Sequence, residues 1–318
     1  MSKTQITFVN LEDLVDENHT YRKFYEHLDF SLCEKALGEL DPQGSFKGYG
    51  ITRLFKVLVL QFMEDFSDRD MERYLQDSNA AKWFCDFGLT EKTPDHTVFS
   101  RTRKRIGTKR LSTLFGLFQT QLREAGYLSN VFTFIDSTHL IAKASLWEEK
   151  DKLEEMELNN KTVSKVAADK DARFGCKGKK KHWYGYKKHV SVDIQSGLIN
   201  KVAVTQAHLS DGTCAKHVMP NGGAVYADKG YCGSSARRAA LRKGVHLCAI
   251  KRNNMKSKNK DLDKYYTKIR SPYERVFSKD NKRTRYRGLV KTQFQAFMTS
   301  LCFNLKRVVV IESMSVAA

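Results

Sequence analysis

Two aspartates of this 318-residue chain sit where a carboxylate can do chemistry. Asp136 follows the apolar run Phe132-Thr133-Phe134-Ile135, and Asp228 follows Ala224-Val225-Tyr226-Ala227. A charged group at the C-terminal end of a short apolar strand projects into a cleft rather than into the core, and Gly230 permits a tight exit towards the next helix. Carboxylates that converge repel one another. A divalent cation offsets that cost, and an all-oxygen donor set selects Mg²⁺ or Mn²⁺. Read singly, either aspartate is also an ordinary turn or helix cap. A third acid would complete a site for two cations, the arrangement that activates a nucleophile and stabilises a leaving oxygen in phosphodiester chemistry. The acids after residue 250 are Asp261, Asp263, Glu274, Asp280 and Glu312. Glu274 stands in Arg270-Ser271-Pro272-Tyr273-Glu274, a helix start with proline suitably placed. There Ser271-x-x-Glu274 also reads as a capping box, in which the glutamate only bonds back to the serine amide.

Charge is the second chemical signal. The chain carries 55 Lys and Arg against 36 Asp and Glu, a formal net charge of +19, which points to a polyanionic partner, nucleic acid first. The net charge is −4 over residues 1–50, +3 over 51–130, +8 over 131–250 and +12 over 251–318. Lys177-Gly178-Lys179-Lys180-Lys181-His182-Trp183-Tyr184 mixes lysines with aromatics, as phosphate contact plus stacking requires. Arg283, Arg285 and Arg287 surround Tyr286 in the same way. Any one of these runs alone is also a plain solvated face. The 41% hydrophobic content excludes wholesale disorder, and no uncharged apolar run reaches the ~20 residues of a bilayer span. Residues 1–12 lack the layout of a secretory signal, and the seven cysteines form no CxxC. A soluble protein of a reducing cytoplasm is expected, without a membrane partner.

These residues must be positioned by two kinds of structure. Residues 1–130 read as helical: Arg53–Met63 is dense enough in apolar positions for a buried helix, and Asp68–Gln76 is a shorter amphipathic one. Thr93-Pro94 reads as an N-cap followed by proline at the first helical position. The helix it opens carries the basic face Arg101, Arg103, Lys104 and Arg105, suited to a groove or phosphate contact, or else simply the outer face of a core helix. From residue 131 the pattern changes to short β-rich runs at Val131–Ile135, Tyr184–Ile194, Leu198–Thr205, Ala224–Ala227 and His246–Ile250. Ser196-Gly197 marks a hairpin, and Ser234–Lys243 a crossover helix between parallel strands. A mixed α/β sheet is expected over 131–318, interrupted by an insertion at about 140–182 that holds the acidic stretch Glu148–Asn160. Lys251–Lys268 reads as a loop without periodicity, and Phe294–Leu305 as an apolar helix packing back on the sheet. There is no internal repeat.

Several ordered motifs together resemble the DDE transposases of bacterial insertion sequences, specifically the insertion-sequence-five group. Phe134-Ile135-Asp136-Ser137-Thr138 is similar to that family's first-aspartate strand, and Tyr226-Ala227-Asp228-Lys229-Gly230-Tyr231 to its second-aspartate box. Arg270 through Glu274 to Phe277, followed by Arg283-x-Arg285-Tyr286-x-Gly288, resembles its glutamate box, with Tyr273 where an aliphatic residue is usual. Gly185-Tyr186-Lys187-x-His189-x-x-x-Asp193 and Thr205-x-Ala207-His208-x-x-Asp211 resemble its second strand and the segment after its third. The resemblance covers nearly the whole chain.

That resemblance implies a ribonuclease H-like mixed sheet over 131–318, preceded by a helical DNA-binding region over 1–130. It implies Asp136, Asp228 and Glu274 as catalytic ligands of Mg²⁺ or Mn²⁺, two ions per site. The partner is then double-stranded DNA, both the element's terminal inverted repeats and the target, engaged by a homodimer at the bacterial nucleoid. Water would cut at the element's ends and the freed 3′-OH would attack target DNA. Lys229, Arg270 and Lys291 would neutralise phosphate charge, and His189 would contact the scissile strand unless it is a structural histidine. The DNA-binding set is completed by Arg101, Arg103, Lys104, Arg105, Lys179, Lys180, Lys181, Arg283, Arg285 and Arg287. A tyrosine nucleophile, Tyr231 or Tyr286, would leave three carboxylates without a role. A metal-dependent nuclease without strand transfer would share every acid, and an inactive DNA-binding regulator would keep only the basic surfaces.

Overall fold

The computed structural model describes residues 9–40, 48–143, 159–177, 181–256, 258–270 and 281–316. The chain divides into one unit made of residues 1–118 with 301–318, and a second made of 119–300.

The first unit is helical. Its described helices are α1 (Thr20–His27), α2 (Ser31–Leu37), α3 (Ile51–Met63), α4 (Asp68–Asp77), α5 (Asn79–Phe84) and the start of α6 (His96–Glu124). The run over 53–63 is the buried α3, in which Leu54, Phe55, Val57, Leu58, Val59 and Leu60 have lost essentially all contact with solvent. The short helix α4 begins at a capping box, Ser67 accepting from the Asp70 amide while Asp70 accepts from that of Ser67. It buries Met71 and Leu75, one turn apart. Helix α6 starts later than Thr93-Pro94 suggests, at His96, because the Asp95 carboxylate accepts the Thr97 amide at 2.7 Å and takes the capping role. It kinks at Gly107, whose φ of 64° lies in the left-handed region.

The second unit is built on a six-stranded sheet. Strand β1 (Phe132–Ile141) pairs antiparallel with β3 (Lys181–Asp193). The first five residues of β3 pair with β2 (Arg173–Lys177), and Tyr186–Val192 pair with β4 (Ile199–Gln206). On its other side β1 runs parallel to β5 (Ala224–Ala227), which runs parallel to β6 (His246–Ala249). The helices of this unit are the short α7 (Val163–Val166), α8 (Asp211–Val218), α9 (Ser234–Arg242), α10 (Lys260–Arg270) and the first part of α11 (Leu289–Val316). Helix α9 is the expected crossover. It turns Ala236, Ala239 and Ala240 onto Ile135, Val225 and Ala227 of the sheet and Ala215, Val218 and Met219 from α8 and its C-terminal end. Small side chains on α9 allow close helix-to-strand approach, and its charged positions stay outside.

Four expectations change. The first strand does not close at Asp136 but continues to Ile141, paired with β3 throughout. The presumed insertion contributes β2 to the sheet. The stretch over 251–268 is not all loop: Asn259 accepts the Asp261 and Leu262 amides at 3.0 and 3.1 Å and opens α10. The helical spacing there was hidden because the inward face carries the charged residues Asp263 and Arg270. The apolar helix over 294–305 extends to Leu289–Val316, its start secured by the Asp171 carboxylate accepting the Leu289 amide at 3.0 Å. By length and composition α11 passes for a bilayer span, but 61% of its apolar window is buried inside the protein. The acidic stretch, Lys179 and Lys180 fall wholly or almost wholly outside the described residues, as does the segment 271–280.

The entry to β5 is fixed by backbone contact. Gly223 has a φ of 76°, and a Cβ there would lie 1.9 Å from the Asn130 carbonyl oxygen, whereas Gly222 with φ 87° has open space. Gly222→Ala is expected to cost only the left-handed strain, ~1–2 kcal/mol. Gly223→Ala must also move the β1 entrance and is expected to cost at least about 1 kcal/mol more. Urea unfolding of both variants measures the difference, and equal losses would contradict the close approach.

Candidate active site

The parallel ladder between β1 and β5 ends at the pair Ile135↔Ala227. The next residue on each strand is an aspartate, so the two carboxylates separated by 92 positions in sequence become neighbours across the sheet. Beyond this point β5 turns away and β1 continues opposite β3, with Asp136 facing Val190 in register. Asp228 caps the single 3-10 turn Lys229–Tyr231, accepting the Lys229 amide. Asp136 is held by its neighbour, the Ser137 amide donating to Oδ1 at 2.7 Å.

A guanidinium links the two acids. Arg270, the last residue of α10, donates from Nη2 to Asp136 Oδ2 at 3.1 Å, and its Nη1 lies 3.8 Å from Asp228 Oδ1. The Arg270 side chain is 8% exposed, that of Asp136 21% and that of Asp228 48%. The same guanidinium sits 5.5 Å from the centre of the Phe134 ring. Burial drives the Asp136 carboxyl up to about 6, and the nearby charges of Asp228 and Asp211 push the same way, while Arg270 and the Ser137 amide oppose it.

A further acid, Asp211, belongs to this neighbourhood. At the start of α8, its Oδ1 accepts from Ser137 Oγ and from Lys187 Nζ, both at 3.0 Å, and Lys187 also donates to the Leu209 carbonyl at 2.9 Å. A Cβ on Gly230 would lie 3.1 Å from Asp211 Oδ2, so the loop after Asp228 passes tightly against Asp211. An open groove of about 560 Å³ lies beside Asp211 and Gly230, with Lys187, His182, His208, Arg252 and Phe174 on its walls. Sequence reading singled out the segment containing Asp211 and gave the residue no role. Its only signal there was the His208-x-x-Asp211 spacing at a helix start.

The remaining expected residues are placed as follows. His189 has no exposed surface and its Nε2 bonds Thr205 Oγ1 at 2.8 Å, so the ring is buried rather than presented at the surface. Arg103 is also taken up internally, forming a two-point pair with Asp68 at 2.6 and 2.8 Å and a bond to Gln61 at 3.1 Å. Arg101, Lys104 and Arg105 stay exposed on α6, as do Lys229 beside the acids and Arg283 and Arg287 before α11. Arg285 is half-buried. Arg270 is not a solvent-facing phosphate ligand but is 7% exposed against the acids. Tyr231 is buried and its phenol is pushed far up by that burial, which disqualifies it as a nucleophile. Glu274, Lys179 and Lys180 lie outside the described residues, and of Lys181 only the backbone, in β3, is described.

The donor set suits a hard divalent cation, since Asp136 and Asp228 offer oxygen only and a positive group already lies within reach of both. Among the described residues no group of three or more His, Cys, Asp or Glu converges on one point.

Comparison with known proteins gives this site a family. Residues 9–105 match the Transposase domain (DUF772), and residues 129–305 match the Transposase DDE domain. With more than half of its length matched, the chain belongs to the DDE transposase family. It is 27% identical over 213 residues to the transposase for insertion sequence element IS1106 of Neisseria meningitidis serogroup B, a match spanning 61% of this chain and 72% of that protein. Among solved structures it is similar, with a TM-score of 0.40 and 12% identity, to the cryo-EM structure of the piggyBac transposase synaptic complex with hairpin DNA. That likeness covers 91% of this chain and 74% of the other.

His189 gives the site's framework a pH signature. Burial lowers its ring to about 4 from an ordinary 6.5, with Lys187 and His217 adding to the fall and Asp211 opposing it. The unfolded chain therefore binds the extra proton first, and stability present above pH 6.5 is lost as pH falls towards 4. His189→Gln, which keeps a partner for Thr205 but does not protonate, is expected to lose up to about 3 kcal/mol less than the wild type over that interval. Parallel stability curves for the two proteins in urea would contradict the assignment.

Proposed function

We propose that this protein is a transposase of the insertion-sequence-five type, cutting the ends of its element and joining them to target DNA. The observation that carries this reading is the meeting of Asp136 and Asp228 at the end of the β1–β5 ladder, beside a groove walled by Lys187 and Arg252. The order of the sheet supports a ribonuclease H-like core, with three antiparallel strands, β1, β3 and β4, followed by the parallel β5 and β6. Asp136 and Asp228, with Glu274 as third ligand, would hold divalent cations, Mg²⁺ or Mn²⁺. When bound, such ions activate the attacking oxygen and stabilise the departing one in an in-line phosphoryl transfer.

The chain's own residues prepare that transfer. Ser137 orients Asp136 through its amide and is itself held by Asp211. Lys229 projects beside Asp228 as a phosphate contact. Arg283 and Arg287 on the catalytic unit, and Arg101, Lys104 and Arg105 on the helical unit, supply backbone-tracking charge. Handling two DNA ends fits a homodimer. A strand-joining assay with the element's end DNA and Mn²⁺ tests the reading. Asp136→Asn, Asp228→Asn and Glu274→Gln are each expected to lose at least about 100-fold in rate, near 2.7 kcal/mol of barrier, while still binding end DNA. Full activity in any one variant would remove that acid from the site. Cutting without joining by the wild type would make the protein a nuclease.

A further inference from the structure

Arg270 lies against both aspartates. Its guanidinium contacts Asp136 and approaches Asp228, is withdrawn from solvent, and leaves Nε without a hydrogen-bond partner among the described residues. Phosphate-binding arginines stand open to their ligand, whereas this one is turned inward onto the two acids at the end of α10. Two neighbouring like charges, one of them largely withdrawn from water, would otherwise push β1 and the β5 exit apart, so the arginine is what allows the pair to be assembled before any other cation arrives.

We propose that Arg270 is a resident counter-ion of the Asp136–Asp228 pair, a positioning residue that a divalent cation must displace in order to bind. The inference rests on the assignment of those aspartates as cation ligands. A divalent ion and a guanidinium in contact with the same oxygens repel each other strongly in a partly desolvated site, so the two occupy it in turn. The apparent affinity for the ion is then its intrinsic affinity multiplied by the fraction of molecules in which the arginine has left. An arginine released by this exchange stands at the mouth of the site with its donors free, where the phosphate of a DNA strand can take it up. Ion loading and phosphate capture thereby become linked, each favouring the other.

Binding of Mn²⁺ alone, measured by calorimetry on the full chain without DNA, tests the exchange. Arg270→Gln removes the competing charge and is expected to bind Mn²⁺ about tenfold more tightly than the wild type. Arg270→Lys keeps a charge but not the two-armed reach, and is expected to fall between them. The wild type supplies a second readout that needs no variant: modification of Arg270 by phenylglyoxal, followed by peptide mass spectrometry, is expected to rise several-fold when Mn²⁺ is added. Arg270→Gln binding no tighter than the wild type, or labelling of Arg270 indifferent to Mn²⁺, would overturn the proposal. Asp136→Asn separates the two levels. If it abolishes Mn²⁺ binding while Arg270→Gln binds no tighter, only the counter-ion role fails; if it binds Mn²⁺ as the wild type does, the cation site itself is misassigned.

Discussion

Two carboxylates held side by side at the end of adjacent parallel strands repel each other, and the rest of the catalytic unit is arranged around that repulsion. Asp136 and Asp228 are neighbours because the β1–β5 ladder stops one residue before them. They remain neighbours because Arg270 reaches in from the end of α10 and because the Ser137 and Lys229 amides each accommodate one carboxylate oxygen. Around this centre the charges alternate, Lys187 against Asp211 and Arg270 against Asp136. In a partly dehydrated setting such alternation confers a definite geometry more than it confers net stability, since each ion has given up water to be there.

The supporting structure is closely packed. Alanines on α9 let that helix lie close on β1 and β5, and at Gly230 the loop after Asp228 passes tightly against Asp211. Behind the acids, His189 joins β3 to β4 through Thr205 as an uncharged ring. On the far edge, the buried Asp169 accepts from the Tyr186 hydroxyl, from the amides of Asp171 and Ala172 and from that of Gly288. It thus ties the segment before α11 to the sheet. A site whose carboxylates must keep a fixed separation is best built on closely packed elements, with charged side chains supplying the adaptable part.

The basic residues divide by location. Those whose largely buried guanidinium or ammonium finds a carboxylate, Arg103 with Asp68, Lys56 with Asp86 and Arg270 with Asp136, serve the fold or the site. Those left on the surface, Arg101, Lys104, Lys229, Arg283 and Arg287, remain available to a polyanion. Each ion pair is neutral, so it leaves the formal charge of +19 unchanged, and the greater part of that excess lies in the second half of the chain.

Local sequence determined what most segments are. The density of apolar residues over 53–63 specified a buried helix, short β-branched and aromatic runs specified the strands, and an acid directly after such a run marked both Asp136 and Asp228. Helix α10 escaped that reading because its inward face is charged, and charge is legible only when its partner is known. Only the tertiary structure decided that Ile135 and Ala227 are the last parallel pair, that Asp211 sits beside Ser137, and that Arg270 points inward while Lys229 points out. Pattern along a chain reports how often a residue meets solvent. Which of two opposite charges it meets there depends on residues some 130 positions away, and that is settled when the strands and helices pack.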